Sequence, residues 1–410
     1  MLGLANGGGM PVSATLAMNE EVARRRRLGI PTVPLGFGEA GLPVHPMLTA
    51  ELNAWARDAA YGPSAGIAAL REAAAGYWGR RRLPTEADQV VAGPGSKPLL
   101  WATLGSRPGA VAVPKPCWVS YAAQAALHGR TVHAISVVDG EGGVPDPEKL
   151  DAAATAARRL GEKIGTVVVT LPDNPTGLLA APSTIAALCD VARAHDLLIV
   201  SDEIYRDLVY DDTTPFTSPA ELAPERTVIT TGLSKSLALG GWRIGVARFP
   251  AGSALRAAVV GMASEVWSAP AQPVQRAAAL AFTEPLELRD RMRAARRLYA
   301  TVTAAVADSF LAAGASLVRP VAAFYVYPSL RDVPVDDDVS LAALLLDNHG
   351  VATLPGSAFG DDPAAMRLRV ATSLLCGDDD EQRESALRSD TPLDLPWIAD
   401  QLDRLAAALR

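Results

Sequence analysis

Four short runs of apolar and β-branched residues, at 110–113, 166–170, 197–200 and 227–231, alternate with stretches of helical periodicity. Runs of this length with so little polarity inside them fit strands buried on both faces, which is the position of strands in a parallel sheet. The intervening helix expected over 183–195 places Ile185, Leu188 and Val191 on one face, as a helix covering such a sheet must. Each run leaves the sheet into polar residues. Open α/β sheets bind their ligands at that carboxyl edge.

Around this block the chain reads in order. Residues 1–12 are Gly-rich and expected to fray. Residues 13–27 form a helix that Ser13 can cap and Gly29 ends. Residues 34–39 are extended, and their glycines permit close backbone approach. Tyr61 stands at the tip of a turn leading into a helix through Tyr77. Residues 89–92 form a strand, followed by the turn Gly93-Pro94-Gly95-Ser96-Lys97 and a helix from Pro98. A strand, a Gly-rich turn and a helix N-terminus point backbone N–H groups at an anion. Trp118 and Tyr121 open the next helix, where an aromatic face can stack on a flat ring.

Past about residue 275 the pattern changes to long helices, 286–308 among them, and a strand with aromatics at 322–327. In Met366-Arg367-Leu368-Arg369-Val370, alternation gives both arginines one strand face. The acidic tract 377–384 and the residues on to 396 read as a loop, and 398–409 as a closing helix.

The densest concentration of chemistry is Gly232-Leu233-Ser234-Lys235, continuing to Gly241-Trp242-Arg243-Ile244-Gly245. A lone lysine among small and apolar residues has the setting that lowers an amine's pKa and makes it a nucleophile. An arginine among glycines offers a planar fork to an anion while the backbone comes close. Together they fit a lysine Schiff base to pyridoxal phosphate, with Arg243 on the phosphate. Asn174, Asp202 and Tyr205 follow strand ends and reach the same edge by topology. A carboxylate buried there needs a cationic partner, and a protonated pyridine nitrogen is one.

Composition narrows the alternatives. The 410 residues suffice for two domains. A net charge of −7 argues against a nucleic-acid face, with Arg24 to Arg27 and Arg80 to Arg82 as solvated helix ends. Cys117, Cys189 and Cys376 and the five scattered histidines show no metal-ligand spacing and no disulfide framework. No apolar run has the length of a membrane span, and no secretory signal stands at the N-terminus, so a cytoplasmic protein is expected.

In order and over about residues 30–375, these motifs resemble the class I/II aminotransferases, the fold-type-I enzymes that use pyridoxal 5'-phosphate. The resemblance implies an α/β large domain with a mostly parallel seven-stranded sheet, plus a smaller α+β domain built from both termini. The expected boundaries are 1–45, 46–280 and 281–410. It makes Asn174-Pro175-Thr176-Gly177 the turn whose asparagine bonds the ring oxygen. Asp202 pairs with the pyridine nitrogen, Tyr205 with the ring oxygen, and Lys235 is the catalytic lysine. Gly95, Ser96, Lys97, Ser234 and Arg243 hold the phosphate and Trp118 stacks on the ring. Tyr61 reaches the phosphate of a partner subunit, which implies a homodimer with shared sites. Gly38, Asn174 and Arg367, rather than Arg369, take the substrate carboxylate. No metal is implied. Three features depart from the family: Gly232 where many relatives have serine, no asparagine or threonine near 267–270, and a long acidic insertion before the last helix. The implied reaction is transfer of an amino group between a small α-amino acid and a 2-oxo acid. Two other readings stay open: a β- or γ-elimination, replacement or ring-forming enzyme acting on an S-adenosylmethionine-type substrate, and a non-enzymatic protein that senses the cofactor.

Overall fold

The computed structural model describes residues 12–410; the expectation of fraying at 1–11 lies outside the described residues. Its centre is a seven-stranded sheet of β1 (Val90–Gly93), β2 (Ala110–Lys115), β3 (Val132–Ser136), β4 (Ile164–Thr170), β5 (Leu198–Asp202), β6 (Thr227–Gly232) and β7 (Gly245–Arg248). The spatial order is β1-β7-β6-β5-β4-β2-β3. All neighbours are parallel except that β7 runs against both β1 and β6.

The alternation within one strand shows why both faces must be covered. Val167 and Val169 of β4 enter one apolar cluster with Leu150, Ile185 and Leu188 of the helices Pro147–Arg159 and Pro182–Ala194. Val168, between them, enters the opposite cluster with Leu99, Leu100 and Tyr121. All three valines are fully buried. Polar side chains in the middle of such a strand would be desolvated without partners, so the chemistry is confined to the strand ends.

Direction then gathers the site. β1, β2, β4, β5 and β6 all finish at one edge. β7 runs the other way, so its entrance lies at that edge too, and Arg243 stands just before it. The end of β1 at Gly93 and the entrance of β7 at Gly245 thus meet although they are far apart in sequence.

A separate apolar cluster ties the N-terminal segment to the C-terminal part of the chain. Val33, Leu35 and Leu42 pack with the long helix Leu286–Ala312, with Phe324 and Val326, and with Ile398 and Leu405 of the last helix, Pro396–Ala408. Val33–Pro34 pairs in parallel with Val351–Ala352, and the strand Leu368–Ala371 lies between Leu354–Pro355 and Tyr325–Val326. The expected acidic loop is corrected here: Asp380–Arg388 is a helix. Asp379 caps it by accepting from the Gln382 N–H, and Asp380 and Glu381 fill its first turn, where carboxylates complement the positive end of the helix dipole.

Gly143 locks the end of β4. Its carbonyl accepts from Thr170 N–H at 2.8 Å, its φ is +76°, and a Cβ there would collide with the Thr170 carbonyl. Gly143→Ala is therefore expected to destabilise the fold by roughly 2–4 kcal/mol, from left-handed strain plus the collision. Urea unfolding should show a lower midpoint with an unchanged slope.

Candidate active site

At the carboxyl edge of the sheet lies a cavity of about 600 Å³. Lys235, Asp202, Asn174, Arg243, Trp118 and Tyr205 all line it, as do Gly38, Ser96, Lys97 and Ser234. The sequence-predicted residues that it does not bring to the cavity wall are Gly95, Tyr61 and Arg367.

Lys235 donates from Nζ to the Gly38 carbonyl. Burial, and then the nearby Arg369 guanidinium, lower its pKa to about 8. It is thus an amine with a substantial neutral fraction near physiological pH, the form that attacks a carbonyl carbon.

Asp202 ends β5 and is buried. Its carboxylate accepts from the Tyr121 hydroxyl at 2.9 Å and from Thr230 at 3.4 Å. No cation pairs with it among the described residues. Burial pushes its pKa up to about 6 despite those donors. A carboxylate in this condition is a ready partner for a cation that arrives from outside.

The anion end is equally specific. The helix Ser96–Gly105 begins after Gly95, whose φ is +95°, and a Cβ on Gly95 would come within 2.5 Å of the Arg243 guanidinium. Gly95 therefore lets Arg243 lie close to that helix N-terminus, although it does not itself line the cavity. Arg243 adopts φ +53°, a left-handed conformation rare outside glycine, and bonds the Gly240 and Pro94 carbonyls. Lys97 lies 4.9 Å from the centre of the Trp118 ring; burial and Arg243 lower its pKa. Two cations that repel each other beside a helix N-terminus make an anion site.

Gly232, where the resemblance expects serine, has a structural cause. It faces Gly245 across β6 and β7, and a Cβ on it would meet the Ile244 carbonyl at 2.8 Å. A Cβ on Gly245 would come within 2.5 Å of the Ser96 nitrogen. Gly232 thus lets β6 lie close against β7, and Gly245 lets the helix N-terminus seat against the sheet. Ser96 and Ser234 remain on the wall, whereas the Thr231 hydroxyl turns to the Glu203 carbonyl.

Of the two arginines expected on this strand face, Arg369 enters the cavity and Arg367 does not. Arg369 is fully buried, and its Nε and Nη1 have no partner among the described residues. It reaches the Gly36 carbonyl and lies over the Tyr325 and Phe359 rings. Arg367 is 41% exposed and faces Asp361 at 3.6 Å. Two residues of extended chain span about 6–7 Å, which carries Arg367 along the same face and out of the cavity. Sequence reasoning also missed Tyr325, whose hydroxyl bonds Tyr205 at 2.6 Å, and the helix Ala14–Arg27, which contributes Thr15, Leu16 and Asn19. The aromatic run at 322–327 was the available signal for the first. Tyr61 is 97% exposed.

The groups present fit pyridoxal phosphate. Lys97, Arg243 and the helix N-terminus suit its phosphate, buried Asp202 its ring nitrogen, and Lys235 its aldehyde. The unmatched Asn174 Oδ1 marks a buried amide with bonding capacity left on the cavity wall.

This fold and this edge define a fold-type-I pyridoxal-phosphate enzyme. The family description "Aminotransferase class I and II" matches residues 35–386, and the chain belongs to that family. It is 34% identical over 373 residues to the aspartate/prephenate aminotransferase of Thermus thermophilus, covering 89% of this chain and 93% of that one. It is 34% identical over 380 residues to the aspartate aminotransferase of Geobacillus stearothermophilus, covering 88% and 92%. The solved structure of the Thermus thermophilus aspartate aminotransferase with maleate superposes with a TM-score of 0.84 at 30% identity, covering 97% of each chain.

Burial of Asp202 has a measurable consequence for the cofactor-free protein. Its folded pKa lies above its unfolded value, so the folded chain binds the extra proton between about pH 4 and about pH 6. Its contribution to stability is complete below pH 4 and is lost as pH rises through 6. Asp202→Asn should therefore stabilise the cofactor-free protein at pH 8, by on the order of 1–3 kcal/mol, and change little near pH 4. Urea unfolding at the two pH values measures this.

Proposed function

We propose that this protein is an aminotransferase that moves an amino group between a small α-amino acid and a 2-oxo acid, with pyridoxal phosphate as cofactor. The observation that carries the reading is one cavity holding a lysine of lowered pKa, and, among the described residues, a buried carboxylate without a cation and a buried guanidinium with two unmatched nitrogens. Bound there, pyridoxal phosphate supplies an aldehyde that takes the amino group and a ring that accepts the electrons left at the α-carbon.

The protein's residues do the rest. Asp202 holds the proton on the ring nitrogen, which sustains the electron sink. Asn174 and Tyr205 bond the ring oxygen, and Tyr325 fixes the Tyr205 hydroxyl. Trp118 covers the ring face. Arg243, Lys97, Ser96 and Ser234 retain the phosphate. Arg369 captures the α-carboxylate as a bidentate fork and so orients the α-proton. Gly38 must lack a side chain, because a Cβ there would collide with the Tyr325 hydroxyl and come within 3.0 Å of the Arg369 guanidinium. Lys235 would hold the cofactor through its Nζ, and that amine, once free, would serve as the base that moves the substrate's α-proton. Tyr61, so exposed in one protomer, would complete the phosphate site of a second copy in a homodimer.

The test is a half-reaction without any 2-oxo acid, following conversion of the bound cofactor to its amine form by absorbance. Lys235→Ala should lower that rate by about 10³-fold or more. A variant that converts normally would overturn the mechanism.

The two arginines separate cleanly by kinetics. Arg369→Ala should lower kcat/KM for the amino acid by about 10²-fold or more, through loss of a charge-assisted bidentate contact. Arg367→Ala should stay within about threefold of the parent protein. The reverse pattern would return the carboxylate to Arg367.

A further inference from the structure

Hydrogen bonding alone does not fix the Arg369 guanidinium. It donates to the Gly36 carbonyl, while its Nε and Nη1 are unmatched among the described residues. Packing supplies the rest: its Cζ lies 5.2 Å from the centre of the Tyr325 ring and 5.2 Å from that of Phe359. Two parallel bonds to a carboxylate require the plane of the fork to be set before the carboxylate arrives. The two rings are secured in different ways. Tyr325 lies in a strand paired with the strand of Arg369, and its hydroxyl bonds Tyr205. Phe359, equally buried, ends the short turn Gly356–Phe359.

That turn is held at its start, its end and its middle. The Gly356 N–H donates to the Arg367 carbonyl at 2.7 Å, and a Cβ on Gly356 would come within 2.9 Å of the Arg367 Cβ. The Phe359 carbonyl accepts from the N–H of Cys117, the neighbour of Trp118, at 3.0 Å. Between them, Asp338 accepts from the Ser357 N–H at 2.6 Å and from the Ser357 hydroxyl at 2.8 Å. Asp338 opens the helix Asp338–His349 and is fully buried. Its carboxylate has no ion pair and no other side-chain partner among the described residues. Burying a carboxylate costs free energy that the helix dipole offsets only in part. Both of its oxygens serve one serine, two residues before the ring that covers Arg369.

We propose that Asp338 is a positioning residue for the substrate carboxylate: through Ser357 it seats the turn, and the Phe359 ring then sets the plane of the Arg369 fork. The proposal rests on the reading of Arg369 as the carboxylate site. Neither Asp338 nor Phe359 lines the cavity, so both act through Arg369. Every member of the link belongs to one chain.

The experiment titrates the protein loaded with pyridoxal phosphate with 2-aminoisobutyrate and with tert-butylamine, following cofactor absorbance. The two have the same amine and no α-proton, and a methyl group in the second replaces the carboxylate of the first. The ratio of their dissociation constants therefore reports carboxylate capture, because a change in fold, cofactor uptake or amine reactivity moves both. The parent protein should bind 2-aminoisobutyrate about 10²-fold more tightly, and Arg369→Ala should abolish the difference. Asp338→Ala and Phe359→Leu should each lower the ratio about fivefold or more, from a misplaced fork. Asp338→Asn keeps an acceptor for the Ser357 N–H and a donor for its hydroxyl, and should stay within about 1.5-fold of the parent ratio. Ser357→Ala removes the hydroxyl half of the link and should lower the ratio about threefold, which decides the matter if Asp338→Ala does not fold. A parent-like ratio in Asp338→Ala, in Phe359→Leu or in Ser357→Ala overturns the proposal, as does a loss in Asp338→Asn equal to that in Asp338→Ala. If Arg369→Ala abolishes the preference and these variants keep it, only this proposal falls. If the parent protein shows no preference for the acid, or Arg369→Ala retains it, the reading of Arg369 falls and takes this one with it.

Discussion

The structure depends on one constraint: a parallel sheet buried on both faces cannot hold charge in the middle of its strands. Val167 to Val169, Ile199, Val200, Val228 and Ile229 are all buried, and a lone ionised group among them would have no partner and little solvent. Charge is thus expelled to the strand ends. Because β7 is antiparallel to its neighbours, its entrance adds Arg243 to an edge that already holds Asp202 and the approach to Lys235. The same exclusion that stabilises the sheet concentrates its unpaired charges at one edge.

Those charges remain under tension there. Among the described residues Asp202 has hydroxyl donors but no cation, Arg369 has two unmatched nitrogens, and Lys97 and Arg243 oppose each other. Each is unfavourable in isolation, and each would gain from a ligand carrying the complementary group. The cavity is therefore complementary to a molecule with an anion at one end, a basic ring nitrogen and a reactive carbonyl, before any substrate enters. Gly245 belongs to the same arrangement, since a residue without Cβ lets the helix N-terminus seat so closely on the sheet, and Gly232 faces it across β6 and β7.

What was legible in the sequence follows from this physics. Strand runs and their polar exits are local, so Asn174, Asp202, Tyr205, Lys235 and Arg243 could be sent to one edge by topology alone. The acidic helix Asp380–Arg388 was not legible as a helix, because its carboxylates look like a solvated loop until Asp379 is seen capping the first turn. The wall from the first helix was not legible either. Ser13, Thr15 and Asn19 reach the cavity only because Val33, Leu35 and Leu42 tie the N-terminal segment to residues 295–405, a contact that no local pattern encodes.

The two arginines show where alternation stops being informative. Arg367 and Arg369 share a strand face, so period-two reasoning gives both the same claim on the cavity. Position along the strand decides between them, and it is fixed by partners from elsewhere. Ala371 pairs with Tyr325 and Val370 with Val326, which sets the depth of Arg369 against the Tyr325 ring. Arg367, beyond the strand's end, finds Asp361 and the Tyr327 ring instead. One guanidinium is fully buried with Nε and Nη1 unmatched among the described residues, and the other is partly exposed with a carboxylate nearby and only Nε unmatched. At the buried site of Arg369 a charge-assisted bond to an arriving anion would replace missing contacts rather than water.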